Sequence, residues 1–208
     1  MSVIVAGIGT GVGKTVVSAL LCQALGADYW KPIQAGDLER SDSKEVKNLV
    51  TDPSFVVHSE QHRLATPASP HAAARRENVQ ICLSDFVVPK SPRRIVVELA
   101  GGLMVPLNQE ELMVDVAASI GFPVVLVANY YLGSINHTLL SLELIKSSGL
   151  PFAGIVFNGM TNKESREVIC RYGDLSPLAD VPHVSPLTSM FIEHHAHTLQ
   201  QNPRLAEL

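Results

Sequence analysis

Gly7-Ile8-Gly9-Thr10-Gly11-Val12-Gly13-Lys14-Thr15 follows the apolar run Val3-Ile4-Val5-Ala6 and leads into Val16-Val17-Ser18-Ala19-Leu20-Leu21. The order is strand, glycine-rich turn, helix start. Such a junction aims free backbone N–H groups and the positive end of a helix dipole at an anion. Lys14 is then expected to reach the β- and γ-phosphates of a nucleoside triphosphate, with the Thr15 hydroxyl on Mg²⁺. The strict pattern needs glycine five residues before Gly13, where this chain has Ile8. Gly7 stands one residue further back, so the loop is a stretched variant.

Composition narrows the classes open to such a loop. The 208 residues are 46% hydrophobic and 17% charged, which suits one domain over 1–208 with a sizeable core. A net charge of −4 gives no basic footprint for nucleic acid or an anionic membrane. Val3–Ala6 is too short for a secretory h-region, and no run approaches the length of a membrane span. Cys22, Cys82 and Cys170 are odd in number and far apart, the pattern of reduced thiols. A cytoplasmic location is expected.

Short apolar runs alternate with helical stretches, which predicts an α/β fold: one doubly wound, mostly parallel sheet with helices on both faces. Strands are expected at Val3–Ala6, Asp28–Lys31, Arg94–Leu99, Pro123–Ala128 and Phe152–Phe157, with a last short one near Val181–Val184. The spacing predicts helices over Lys14–Leu25, Ser41–Leu49, His71–Asn78, Glu111–Ile120, Ser134–Ser148 and Lys163–Tyr172. Thr51–Pro70, with three prolines, is expected to be irregular and to wrap one sheet edge. Ligands of such sheets bind at the carboxyl ends of the strands, so the residues there come first.

The second strand ends in Lys31-Pro32-Ile33-Gln34-Ala35-Gly36, followed by Ser41-Asp42-Ser43. A lysine entering a Pro/Gly turn is by default a solvated charge. Beside a phosphate loop, Lys31 and Lys14 together would stabilise charge developing in phosphoryl transfer. The third strand ends in Glu98-Leu99-Ala100-Gly101-Gly102, a carboxylate after buried aliphatics and before glycines. Mg²⁺ takes one or two carboxylates plus phosphate oxygens, so Thr15, Asp42 and Glu98 form a candidate metal set. Ser41-Asp42 also reads as a helix N-cap. Leu132-Gly133-Ser134-Ile135-Asn136-His137-Thr138 opens a helix whose N–H groups, with Ser134 and Asn136, suit a second anion such as a carboxylate. Ordinary capping by Ser134 explains the same residues. Asn158 ends the next strand, where its amide offers both a donor and an acceptor to a purine edge; by itself it is a turn former. His194 and His197 share a helical face, without a third ligand.

Taken together and in this order, the motifs resemble the dethiobiotin synthetases, ATP-dependent cyclo-ligases of biotin biosynthesis. The phosphate loop matches theirs at Thr10, Val12, Gly13, Lys14 and Thr15. Lys31-Pro32-Ile33-Gln34 and Asp42, Thr66-Pro67-Ala68-Ser69-Pro70-His71, Glu98-Leu99-Ala100-Gly101-Gly102 and Gly133-Ser134-Ile135-Asn136-His137 are similar to further motifs of the family. The resemblance implies that 7,8-diaminononanoate is carboxylated by CO₂, phosphorylated by ATP and closed to a ureido ring, with release of ADP and phosphate. Lys31 and Lys14 would be catalytic. Gly11, Val12, Gly13, Lys14, Thr15, Val16, Asp42, Glu98, Leu99, Ala100, Gly101 and Asn158 would bind the nucleotide, and Thr15, Asp42 and Glu98 the Mg²⁺. Ala35, Ser134 and Asn136 would contact the substrate, the last two from the partner subunit of a homodimer.

The chain departs from that pattern in four places. Ile8 and Gly9 replace a threonine and an acidic residue, Ala35 replaces a hydroxyl residue, and Leu99 replaces a glycine and is expected to crowd the phosphates. The C-terminal portion is short. A partitioning-type ATPase shares the loop class but carries a lysine near its start, where this chain has Gly7-Ile8-Gly9. A cobyrinate-type amide ligase would need an additional glutaminase domain. A degenerate nucleotide binder is the third alternative.

Overall fold

The structure, a computed structural model, describes residues 1–206. Its frame is a seven-stranded sheet built from β1 (Val3–Gly7), β2 (Asp28–Trp30), β4 (Val57–His58), β6 (Ile95–Gly102), β7 (Val124–Ala128), β8 (Phe152–Asn158) and β9 (Ala179–Val181). The order across the sheet is β4-β2-β6-β1-β7-β8-β9, and every neighbouring pair is parallel. Parallel strands all end at one rim, so the loops after β1, β2 and β6 emerge side by side. A separate parallel pair joins β3 (Ile33–Ala35) to β5 (His62–Leu64) beside that rim.

Strand periodicity splits the core in two. Val3 and Val5 of β1, Tyr29 of β2, Val96 of β6 and Val125 and Val127 of β7 pack with α1 (Lys14–Leu25), α2 (Asp42–Leu49) and α7 (Ser189–Gln200). Ile4 and Ala6, Val97 and Leu99, and Val124 and Leu126 face the other way. They meet α3 (Pro70–Arg76), α4 (Met113–Ile120), α5 (Ser134–Ser147) and α6 (Lys163–Gly173). Strands buried on both faces must be apolar throughout, and Val3 to Val5 and Val124 to Ala128 are fully buried. Each fully buried aliphatic side chain contributes about 1.5–3 kcal/mol.

Five strands and six helices lie where periodicity predicts them, to within three residues at their ends. The last strand is displaced. It ends at Val181 because Pro182 has no N–H with which to continue the ladder. Thr51–Pro70 does wrap the β2 edge, but it contains β4 and β5. β3, α7 and α8 (Pro203–Ala206) are additions. Among the described residues, no helix is long and apolar enough to cross a membrane.

Candidate active site

The loop after β1 turns into α1 through Gly13, whose φ of +92° belongs to the left-handed region. A Cβ there would lie 2.0 Å from Asn158 Nδ2, so only glycine fits. Asn158 in turn donates that amide to the Val12 carbonyl at 3.1 Å. One of its donors is therefore spent on holding the loop, and the side chain is less free for a base than its position at a strand end suggests. Lys14, opening α1, is buried and donates to the Gly9 carbonyl at 2.9 Å. Burial lowers its pKa to about 8, Glu98 opposes that fall, and Lys31 adds to it.

The β2–α2 connection supplies the second group of charges. Gln34 donates to the Gly36 carbonyl at 2.9 Å and accepts from the Asp42 backbone N–H at 3.4 Å, which sets the start of α2. Gly36 sits at φ +75°, and a Cβ there would lie 2.7 Å from the Pro67 Cα, so the turn has no room for a side chain. Ser41 is the N-cap of α2, accepting from the Lys44 N–H at 3.4 Å. That resolves the two readings of Ser41-Asp42: Ser41 caps, and Asp42 is left to face the site.

There Lys31 is buried between two carboxylates, paired with Asp42 Oδ2 and 3.1 Å from Glu98 Oε1. Burial alone would lower its pKa; Glu98 and Asp42 outweigh burial and raise it. Burial likewise opposes the Asp42 charge, but Lys31 and the Thr15 hydroxyl prevail and hold its pKa low. The Thr15 hydroxyl lies 2.6 Å from Asp42 Oδ1 and 3.3 Å from Glu98 Oε1. Glu98 is 1% exposed, and its Oε2 accepts from the Tyr29 hydroxyl at 2.9 Å. Burial and then the Glu98 charge push the Tyr29 pKa far up, which keeps the phenol a donor.

These groups open on a cavity of about 710 Å³ lined also by Thr10, Gly11, Val16, Ala35, Ala100 and Gly101. Pro67, Ala68, Ser69 and Pro70 form its far wall, so the segment before α3 belongs to it as well. Glu45 also lines it, its pKa raised by burial and then by Asp42 and Glu98. The donor set fits a hard divalent cation: one hydroxyl and two carboxylates converge, all oxygen, with room for phosphate oxygens beside them. Among the described residues no group of three or more His, Cys, Asp or Glu is arranged to hold a metal, which leaves the C-terminal histidines without a third ligand. His195, between them, packs at a tilt against Phe191, with ring centroids 4.2 Å apart.

Two expectations differ: that Leu99 crowds the phosphates, and that Ser134 caps its helix. Leu99 is 1% exposed and packs in the core on the opposite face of β6 from Glu98, so it crowds no phosphate site. Successive strand residues point to opposite faces, and the residue after a site-facing Glu98 must turn away. Ser134 is not the cap of α5: Gly133 is, and the Ser134 hydroxyl is buried without a hydrogen-bond partner. Ser134 and Asn136, expected to act from a partner subunit, do not line the cavity of their own chain. Tyr29 and Glu45 were not singled out by the sequence, and Gln34 only as the end of the Lys31–Gln34 motif. Tyr29 reads as a core aromatic, and the only cue for the other two was their nearness to Lys31 and Asp42.

A phosphate loop at the central strand of a parallel sheet, with lysines and carboxylates converging on it, defines an ATP-using protein of the phosphate-loop NTPase class. The family model described as "AAA domain" matches residues 1–190. The fold is similar to that of the "MinC:MinD cell division protein complex" of Aquifex aeolicus, with a TM-score of 0.56 and 14% identity over 100% of this chain and 97% of that one. Closer by sequence are proteins named "ATP-dependent dethiobiotin synthetase BioD", two of which serve as examples. The one from Christiangramia forsetii is 42% identical over 207 residues, covering 100% of this chain and 99% of the relative. The one from Afipia carboxidovorans is 46% identical over 186 residues, covering 89% of each. The chain belongs to the dethiobiotin synthetase family. Its short C-terminal portion has a counterpart in the first of these relatives.

Proposed function

We propose that the chain is a Mg²⁺- and ATP-dependent ligase that converts 7,8-diaminononanoate, CO₂ and ATP to dethiobiotin, ADP and phosphate. One amine of the diamine adds to CO₂ and loses a proton, giving a carbamate. A carbamate oxygen then attacks the γ-phosphorus and ADP leaves. The second amine attacks the carbonyl carbon of the resulting carbamic–phosphoric anhydride and loses a proton, and the ureido ring closes as phosphate departs. Activation turns a poor leaving oxygen into phosphate, and the second amine is already present at high effective molarity.

The supporting observation is that Lys14, Lys31, Thr15, Asp42 and Glu98 line one cavity whose remaining wall includes Ala35 and Pro67–Pro70. Lys31 would neutralise the carbamate and Lys14 the γ-phosphate, both acting where negative charge accumulates. Thr15, Asp42 and Glu98 would hold Mg²⁺, which when bound spreads positive charge over the phosphates. Gly11, Gly13 and Val16 would contribute backbone contacts to the phosphates. Asn158 would keep Val12 and Gly13 in register and turn its carbonyl oxygen to the base.

Purified protein with MgATP, bicarbonate and the diamine is expected to form dethiobiotin with one ADP released per product. ATP hydrolysis without product would contradict the reading and favour a partitioning-type ATPase; absence of both would favour a nucleotide binder.

Ser134 and Asn136 lie outside the cavity, so their proposed grip on the substrate carboxylate requires a homodimer in which each α5 start serves the other subunit. The buried, unpartnered Ser134 hydroxyl at a helix N-terminus is suited to an anion. A chain carrying Lys31→Ala, mixed and exchanged with one carrying Ser134→Ala and Asn136→Ala, then regains activity. With random exchange, about a quarter of the sites combine intact halves. No recovery after subunit exchange would place both parts of the site on one chain.

A further inference from the structure

We propose that Tyr29 is a positioning residue for metal binding: its hydroxyl holds one oxygen of Glu98 and so turns the other toward Thr15 and Asp42. This rests on the reading of Thr15, Asp42 and Glu98 as the Mg²⁺ ligands.

Tyr29 is fully buried on β2, in register with Val96 of β6, and its ring reaches along the strand to Glu98, two residues further on. Its neighbours on that face are the aliphatic side chains of the α1-side core. A phenylalanine would pack there as well, and a buried hydroxyl without a partner costs free energy. The hydroxyl is tolerated because it meets Glu98 Oε2 at 2.9 Å. The division of labour on Glu98 is clean. Oε2 takes the Tyr29 donor, while Oε1 takes Lys31 at 3.1 Å and Thr15 at 3.3 Å. A carboxylate has two oxygens and several acceptor positions, and in this dry setting both oxygens need partners. Without the phenol, Glu98 can rotate and engage Lys31 with both oxygens, and the cation would have to compete with that pair. With the phenol in place Oε2 is held, so Oε1 stays aimed at the cavity.

The test measures Mn²⁺ affinity of the ADP complex, from the spin-resonance signal of free Mn²⁺, for wild type, Glu98→Gln and Tyr29→Phe. Glu98→Gln is expected to weaken Mn²⁺ strongly. Tyr29→Phe is expected to weaken it about tenfold, as loss of an outer-shell hydrogen bond does. ADP affinity in chelator should be unchanged, and kcat should recover at saturating Mn²⁺ while the KM for metal stays raised. A lower melting temperature with wild-type Mn²⁺ affinity would mean that the hydroxyl serves packing alone and would overturn the proposal. If Glu98→Gln keeps full affinity, the metal-site reading itself falls. If Glu98→Gln weakens binding and Tyr29→Phe does not, only the Tyr29 assignment falls. Tyr29→Met, a more pliable side chain without the donor, is the second variant. Failure of both variants to fold would assign the hydroxyl to the fold and likewise overturn the proposal.

Discussion

Lys31→Met is expected to lower turnover by about 10²–10³-fold or more, the scale set by removing one preorganised donor from a developing oxyanion. Methionine keeps the unbranched stem, so the loss isolates the ammonium. The same change removes the cation between Asp42 and Glu98. Leaving buried charge uncompensated costs about 3–5 kcal/mol, and the low end applies here because the Asp42 side chain is 28% exposed. For a domain of this size, about 3 kcal/mol lowers the melting temperature by roughly 6–12 °C. Divalent cations should restore part of that loss, since two carboxylates then lack their lysine. Melting curves with and without Mg²⁺, set beside single-turnover rates, separate the two effects. Near-full turnover by the variant would remove Lys31 from the chemistry.

Gly13→Ala carries the second large effect, and it acts through the backbone. A non-glycine residue in a left-handed conformation costs about 1–2 kcal/mol before any contact is counted. The new Cβ would stand 2.0 Å from Asn158 Nδ2 and 2.7 Å from its Cγ, and neither distance can persist. Either Asn158 releases the Val12 carbonyl or the loop shifts, and both displace the N–H groups that face the phosphates. A misplacement of about 1 Å costs on the order of 10²-fold, so ATP affinity should fall by at least that much. Adding Asn158→Ala relieves the collision but not the left-handed backbone cost, and the double variant should recover part of the melting temperature without recovering affinity. Gly9→Ala is the contrast. Nothing lies within 4 Å of its Cβ position, and its melting temperature should stay within a few degrees of wild type. Isothermal titration with ATP reads all three. Wild-type affinity in Gly13→Ala would show that Asn158 does not hold this loop.

The two residues illustrate what a sequence makes legible. The Gly-Lys-Thr ending and the apolar run before it were enough to place β1, the loop and α1, because local periodicity and turn chemistry dictate them. Lys31, Asp42 and Glu98 could be chosen because each follows a strand, and parallel strands all end at the same rim. The contact between Gly13 and Asn158 spans most of the chain and is visible only when β8 is seen two strands away from β1. Leu99 misled for a simpler reason. Its place beside Glu98 in sequence suggested the phosphates, and strand alternation sends it to the opposite core. Tyr29 escaped notice because a buried aromatic in a strand needs no further explanation until its hydroxyl is seen on Glu98. The short strands β4 and β5 were hidden among prolines and polar residues, where tertiary pairing overrides propensity. Helix α7 kept an apolar spacing at Ile192, Ala196 and Leu199, but the surrounding histidines diluted it.

The chemistry proposed for this site turns on an oxygen that travels from CO₂ to phosphate. Bicarbonate enriched in ¹⁸O, supplied with MgATP and the diamine and quenched within seconds, tests it by mass spectrometry of the phosphate released. If the carbamate attacks the γ-phosphorus and phosphate later leaves the carbonyl carbon, each phosphate carries one oxygen from bicarbonate for every ureido ring formed. Phosphate holding only oxygens from ATP and solvent would mean that water, and not a carbamate held by Lys31, is the nucleophile.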